Sequence, residues 1–274
     1  MLLVTVAAAS WGTWSLFLRA TGLPPTVTSP LVFLIMGVVL LPFAWREPRP
    51  VWDRRSVGIM LANTASDALN LITFFGAMAM TTVAIAVLTH YLAPILVALV
   101  APRVDGTRTR GAVPAAVVGL GGLVIMLEPW RGADPGAFIG ALLGLASAVF
   151  YAANVFIVRR AAERLGTARA MSYHSLVAGV VMLPFAVSGL ATVSAFDLGV
   201  LGAGATTIGA ISGVIFVVGL RQIGSARASI LTFAEPVVAV SVGVLVWGEP
   251  LRPLAVVGGA LILTAGIHVA KQAR

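Results

Sequence analysis

Along this chain, long apolar runs alternate with short segments carrying charge, proline or glycine. A helix needs about 20 apolar residues to cross about 30 Å of hydrocarbon, at about 1.5 Å of rise per residue. Runs of that kind fall near 2–18, 30–45, 56–79, 82–101, 111–127, 136–157, 170–187, 197–219, 225–247 and 252–270. The pattern predicts an all-α integral membrane protein of ten transmembrane helices. The connections are too short to hold an extramembrane domain with its own active site. In the first run, Ala7–Ser10 looks like a small-residue cleavage site. No basic region precedes it, and the run continues through Trp11 and Trp14, so the expectation is a retained helix and not a leader peptide.

The runs repeat. Residues 37–44 read GVVLLPFA and residues 179–186 read GVVMLPFA, seven identities in eight at an offset of 142. The same offset pairs Pro94 with Pro236, and Asn70 with Ser212. An offset of 140 pairs Arg19 with Arg159, Trp11 with Tyr151 and Trp14 with Asn154, and Gly121-Gly122 of the fifth run matches Gly258-Gly259 of the tenth. One chance match between apolar helices is unremarkable, but an ordered series along the chain predicts two related units. These are 1–127 and 136–274, joined by an external linker at 128–135. Each unit holds five helices, an odd number, so the second must enter the membrane inverted with respect to the first.

Composition and charge agree. The chain is 59% hydrophobic and 10% charged, against about 25% charged in soluble domains. With the N-terminus inside, cytoplasmic segments would carry Arg46, Arg49, Arg54, Arg55, Arg103, Arg108, Arg110, Arg159, Arg160, Arg164, Arg169, Arg221, Arg227, Lys271 and Arg274, and external segments Arg19, Arg131 and Arg252. This is a strong positive-inside bias, with both termini cytoplasmic. The net charge of +8 is thereby explained by orientation and does not point to nucleic acid. There is no cysteine, so disulfides, thiolate nucleophiles and cysteine metal sites are excluded.

Polar groups at membrane depth are costly and mark either a pathway or a polar seam between helices. Asn63, Asp67 and Asn70 stand at i, i+4 and i+7 and share one helix face. They line a cavity or form a packing seam. Pro94 and Pro236 interrupt the fourth and ninth runs. Each removes one backbone bond and frees the carbonyl four residues earlier, those of His90 and Thr232. The result is a hinge, a polar contact for a solute, or a static kink. Glu235 and His90 lie at depths comparable to Asp67, whereas His174 and His268 read as interfacial. Trp11 with Trp14 and Tyr151 with Asn154 open the two units and either line a cavity or anchor the helices. Trp45, Trp52, Trp130 and Trp247 fit the anchor role. Gly140 with Gly144, and Gly209 with Gly213, suit close helix packing. A metal site would need Asp67, His90 and Glu235 to converge, and none is expected; no cofactor motif or Walker loop is present.

The segments Ser10-Trp11-Gly12, Tyr91-Leu92-Ala93-Pro94, Ala234-Glu235-Pro236 and Gly248-Glu249-Pro250-Leu251, with the paired halves, resemble the drug/metabolite transporter superfamily of the EamA type. Within it, the resemblance is to bacterial aromatic amino acid exporters. Val104-Asp105-Gly106 stands where many members carry a glutamate. The resemblance implies a monomeric secondary transporter of the bacterial inner membrane. It would export amino acids and similar amphipathic metabolites by alternating access, without catalysis. The expected solute site combines Trp11, Trp14, Asn63, Asp67, Asn70, His90 and Tyr91 with Tyr151, Asn154, Ser212, Thr232 and Glu235, and Pro94 and Pro236 act as hinges. Protons are the candidate coupling ion, since Asp67, Glu235 and His90 can titrate. The alternatives are an intramembrane enzyme, which would need a catalytic cluster whose spacing is not found, and a structural membrane protein, which would not need buried acids. Among transporters, nucleotide-sugar and drug-cation efflux stay open.

Overall fold

The structure, a computed structural model, describes residues 1–106, 109–131 and 137–271. Arg108 and Arg274 of the orientation argument, and residues 132–135 of the expected linker, lie outside the described residues. All regular elements among the described residues are helical. Helices α1 (Leu2–Trp11) and α2 (Ser15–Thr21) share the first span, interrupted where the N–H groups of Thr13 and Trp14 bond three residues back. Helix α3 (Pro25–Arg46) begins on a proline, which the first turn tolerates because its N–H would have no partner there. Helix α4 (Arg54–Met80) is N-capped by Asp53, which accepts from the Ser56 N–H at 2.7 Å. Then come α5 (Val83–His90), α6 (Ala93–Val104), α7 (Ala112–Leu127), α8 (Ala137–Leu165), α9 (Thr167–Met182) and α10 (Val187–Leu190). In the eighth span α11 (Ala195–Gly204) and α12 (Ser212–Ile223) are joined by a π-helical stretch, Ala205–Ile211, in which the Ser212 hydroxyl reaches back five residues to the Thr207 carbonyl. The chain continues as α13 (Ser225–Leu231), α14 (Ala234–Trp247) and α15 (Pro253–Lys271).

Among the described residues, nine helical segments are long and apolar enough to cross a membrane. The expected tenth, at 170–187, is the exception. Helix α9 has 16 residues and ends in a 3-10 turn at Leu183–Phe185, whereas the matching Pro42 stays inside α3. Its first turns are polar, and Arg169, Ser172, His174 and Ser175 are all buried. Protein neighbours surround this segment.

Helix α4 packs along α8, α3 along α9, and α7 against α15. Helix α5 lies on α8, α6 on α13, and α1 on both α12 and α14; α4 also touches α9, and α3 the π-helical stretch. For the contacts just named, replacing each span by the one five places away returns the same set of partners. Glycines set the tightest crossings. Gly37 seats Leu176 while Gly179 seats Leu34, and the Ser172 hydroxyl donates to the Gly37 carbonyl at 2.7 Å. At the α7–α15 crossing a methyl on Gly122 would strike the Gly258 carbonyl and the reverse, whereas Gly121 and Gly259 face open space. Of the two glycine pairs matched in the sequence, one residue of each, Gly122 and Gly258, makes the crossing.

The outer surface carries Val38, Phe43, Phe138, Phe185 and Leu245 uncovered. A soluble protein would bury such side chains. Trp45, Trp52 and Trp130 are exposed near helix ends, where amphipathic rings suit the lipid headgroup level.

Candidate functional site

Two breaks in the helices create the site. The fourth span is interrupted at Tyr91-Leu92, just before Pro94, and the ninth at Thr232-Phe233, just before Pro236. The sequence leaves the Thr232 carbonyl free, but it accepts the Glu235 N–H at 3.0 Å through a tighter turn. The break therefore heals its own backbone locally and turns the first residues of α14 inward. The third interruption, at Gly12, fits against this one. A methyl on Gly12 would strike the Glu235 carbonyl, the Ala239 nitrogen and the Val238 side chain. The glycine of Ser10-Trp11-Gly12 is thus what lets α1 approach α14 and carry Trp11 alongside Glu235.

Between these breaks lies a cavity of about 170 Å³, lined by Trp11, Asn70, Leu71, Phe74, His90, Tyr91, Ala93, Pro94, Tyr151, Thr232 and Glu235. An apolar cavity of about 150 Å³ is enough to hold benzene. The His90 ring forms one wall. It meets Tyr151 edge-on at 5.2 Å, Tyr91 edge-on at 5.6 Å and Phe74 at 4.8 Å between centroids. Trp11 is braced by Phe216 at 4.9 Å, and Tyr91 by Phe233 at 5.4 Å. The Glu235 carboxyl lies beside the Tyr91 hydroxyl, and Tyr151 beside Thr232.

A short relay fixes the orientation of His90. The Ser147 hydroxyl donates its single proton to Asn70 Oδ1 at 2.9 Å, so its 2.7 Å bond to His90 Nδ1 must be received from the imidazole. In the neutral ring the proton is then on Nδ1, and Nε2 is left as an acceptor. Ser147 is absent from the sequence-based set. It stands at i, i+4 and i+7 with Tyr151 and Asn154 on α8, the same periodicity that singles out Asn63, Asp67 and Asn70 on α4.

The polar stripe of α4 divides among three environments. Asn70 borders the cavity. Asn63 lies in the α4–α8 interface, where Asn154 Nδ2 donates to its Oδ1 at 3.2 Å and to Ser66 Oγ at 3.0 Å. Asp67 turns to α9 and meets His174 Nε2 at 2.8 Å. His174, read from the sequence as interfacial, is 4% exposed. Helices α3, α4, α8 and α12 pack around α9 and enclose its polar first turns. Ser212 accepts from the Ser10 hydroxyl at 2.7 Å at the π-helical stretch. Trp14 is half-buried in the turn between α1 and α2. Trp14, Asn63, Asp67, Asn154 and Ser212 are not part of the cavity wall, whereas Trp11, Asn70, His90, Tyr91, Pro94, Tyr151, Thr232 and Glu235 are.

The helix ends carry a related pair of ion pairs. Arg159 of α8 meets Asp105 at the end of α6 at 2.8 Å, and the same carboxylate oxygen accepts the Ser225 N–H that starts α13 at 3.2 Å. Arg19 of α2 meets Glu249, just past α14, at 2.7 Å, with its guanidinium 5.4 Å from the centre of the Trp247 ring. Arg19 and Arg159 are 140 residues apart, the offset noted in the sequence, and Asp105 and Glu249 follow the two helices that start at the proline breaks, α6 and α14. The first pair is enclosed, with side chains 19% and 5% exposed, and the second is open, at 53% and 48%.

Comparisons with known proteins agree with the architecture. The model of the EamA-like transporter family matches residues 1–127 and 138–269. A protein of Archaeoglobus fulgidus described as an uncharacterized transporter is 31% identical over 274 residues, which cover 97% of this chain and 94% of that protein. A solved crystal structure superposes with a TM-score of 0.83, covering 100% of this chain and 98% of its own at 22% identity. At that identity the likeness speaks to the fold alone.

Proposed function

Because the chain belongs to the EamA-like transporter family, we propose that it exports amino acids with aromatic or other amphipathic side chains from the cytoplasm. Two inverted five-helix halves in a bacterial inner membrane would do so by alternating access, with both termini cytoplasmic. The observation that carries the solute class is the cavity. Rings from both halves bound a space large enough for a phenyl group, and a carboxyl, an amide and an imidazole nitrogen stand around it. The aromatic walls hold the side chain. Glu235 takes the ammonium, and the Tyr91 and Tyr151 hydroxyls with Asn70 are placed for the carboxylate. Asn63, Asp67, Asn154, Ser212 and Trp14 support this site from the next layer of packing.

The partner-exchanging contact pattern supports inverted halves, as do the two segments matched by the family model. Related halves can pack around one site in two nearly equivalent ways, each open to one side. The equivalent ion pairs, one enclosed and one exposed, are the asymmetry such a mechanism requires. In this reading the Asp105–Arg159 end is cytoplasmic and shut, and the breaks at Pro94 and Pro236 are the hinges.

The test is efflux of labelled phenylalanine from proteoliposomes containing the full chain, compared with alanine, glutamate and a nucleotide sugar. Phenylalanine should move fastest, and Glu235→Gln should slow it by about tenfold or more, the loss expected when a charged contact worth about 1.5–3 kcal/mol is removed. Rates equal to those of protein-free liposomes for every amino acid would defeat the proposal. A second reading rests on the same geometry, since rings beside a carboxyl also suit a lipophilic cation. Faster efflux of tetraphenylphosphonium than of phenylalanine would favour it.

A further inference from the structure

We infer that Asp67 and His174 form a proton-binding site that locks α4 to α9, so that this conformation carries one proton which is released when the two helices part. The inference rests on the transport reading above and assigns its coupling ion to a pair of residues outside the cavity.

The bonding around His174 leaves little freedom. Its Nδ1 lies 2.9 Å from the Met171 carbonyl oxygen. A carbonyl can only accept, so Nδ1 carries a proton. Its Nε2 lies 2.8 Å from Asp67 Oδ2. With Nδ1 already protonated, that contact needs a second proton between the two atoms. It resides on Nε2 as an imidazolium facing a carboxylate, or on Oδ2 as a carboxylic acid facing a neutral ring. The pair is neutral overall either way. Without that proton, a nitrogen lone pair would face a carboxylate at hydrogen-bond distance, which is repulsive. The proton count of this conformation is therefore set by geometry.

The surroundings favour a single, switchable proton. His174 is 4% exposed, and Phe33 of α3 meets its ring edge-on at 6.0 Å. The Asp67 side chain is 19% exposed, so the pair has one buried member and one with a route for proton exchange. From α8, Tyr151 borders the adjoining cavity. On α9 itself, Tyr173 stacks on Trp52 at 6.1 Å. Arg169 is committed to the carbonyls of Ala44, Glu47, Pro48 and Leu165. At the end of α3, the Glu47 carboxylate accepts the N–H groups of Ala168 and Arg169, and Arg46 stands at the same end. Arg54 and Arg55 begin α4, and Arg159, Arg160, Glu163 and Arg164 end α8. Arg221 of α12 reaches Thr167 at 3.3 Å. These charges belong to the helix ends.

The proton cycle is balanced. In the locked state the pair holds two protons, one on Nδ1 and one shared. When α4 and α9 part, the shared proton passes to water, leaving an ionised Asp67 and a neutral His174 with Nδ1–H retained. Rebinding takes one proton back, so one proton is bound and released per conformational cycle.

Two measurements on the full chain decide this. The first needs no solute. The three histidines are labelled with ¹⁵N in nanodiscs and followed by NMR across pH, with His174 assigned through His174→Gln. The His174 Nδ1 should stay protonated while its Nε2 environment changes in one step as pH rises, and Asp67→Asn should abolish the step. A flat Nε2 signal, or a step unchanged in Asp67→Asn, overturns the inference. The second measures phenylalanine transport with and without a pH gradient. One proton per solute lets one pH unit support about tenfold accumulation. Asp67→Asn and His174→Gln should lose that response while retaining exchange, and an undiminished response in both variants overturns the inference. If the wild type moves no phenylalanine, the solute assignment fails and the NMR titration alone decides the proton site. If His174→Gln does not fold, His90→Gln and His268→Gln assign the remaining signal to His174 by elimination, and a flat Nε2 signal there overturns the inference.

Discussion

At the residue scale, the decisive feature is which nitrogen or oxygen each side chain has left over. His90 donates through Nδ1 to Ser147, which in turn donates to Asn70. Replacing Ser147 by alanine removes both partners at once and frees the ring to rotate. The expected result is a weaker apparent affinity for phenylalanine, with exchange at saturation within about a factor of a few of wild type, since uniform binding is lost. An unchanged half-saturation concentration would mean that the relay does not position His90. Asp53, outside the spans, offers a cleaner titration. The Ser56 backbone N–H first, then the Ser56 hydroxyl and Arg164, hold its carboxyl below the ordinary 3.8. A carboxyl lowered on folding stabilises fully above its unfolded value and ceases to do so as pH falls through the folded one. Asp53→Asn should therefore lower the thermal midpoint at neutral pH, with the difference from wild type vanishing at acid pH below 3.8. A pH-independent difference would identify a lost packing contact instead.

At the scale of elements, glycine positions fix how closely helices cross, and these are separable by experiment. Gly122 and Gly258 meet at the α7–α15 crossing, while their neighbours Gly121 and Gly259 face open space. Gly122→Val should destabilise by about 1–3 kcal/mol through overpacking, and Gly121→Val should leave the thermal midpoint close to wild type. Similar midpoints for both would place the crossing elsewhere. Gly12 is the functional counterpart. Its added methyl would meet the backbone of α14 at Glu235, so Gly12→Ala should impair transport through displacement of Trp11 and Glu235 together. Helix breaks belong to this scale too. A proline stops the fourth and ninth spans from running straight through, and one residue of each break, Tyr91 and Thr232, faces the cavity.

At the scale of the molecule, the two ion pairs at the helix ends make opposite predictions. Asp105 is enclosed with Arg159, whereas Glu249 and Arg19 are exposed. Asp105→Ala should loosen the shut end and favour the conformation open there. Single cysteines placed in this cysteine-free chain near residue 104 should then react faster with a thiol reagent reaching the cytoplasmic side. Glu249→Ala should leave that reactivity unchanged. Equal reactivity in both variants, or faster reaction from the outside, would remove the gating role or reverse the proposed orientation.

The membrane class and the positions of nine of the spans were legible in the sequence because hydrophobicity is a local property of a helix in lipid. The breaks at Pro94 and Pro236 were legible for the same reason, since proline acts on its own backbone. Partner choice was not. The face that holds Asn63, Asp67 and Asn70 follows from a spacing of three and four residues, yet the three side chains go to Asn154, His174 and the cavity, because α4 is flanked by α8 on one side and α9 on the other. His174 was placed at the interface by its distance from the end of its run. Only packing shows that its helix is short, polar and enclosed. Ser147 is signalled only by its i, i+4, i+7 spacing with Tyr151 and Asn154, since by itself a serine among alanines and glycines is common in close-packed helices. Sequence determined what had to stay in lipid and that Pro94 and Pro236 had to interrupt their helices; tertiary structure decided the other breaks and which polar groups meet, because a hydrogen bond depends on a partner whose distance along the chain is arbitrary.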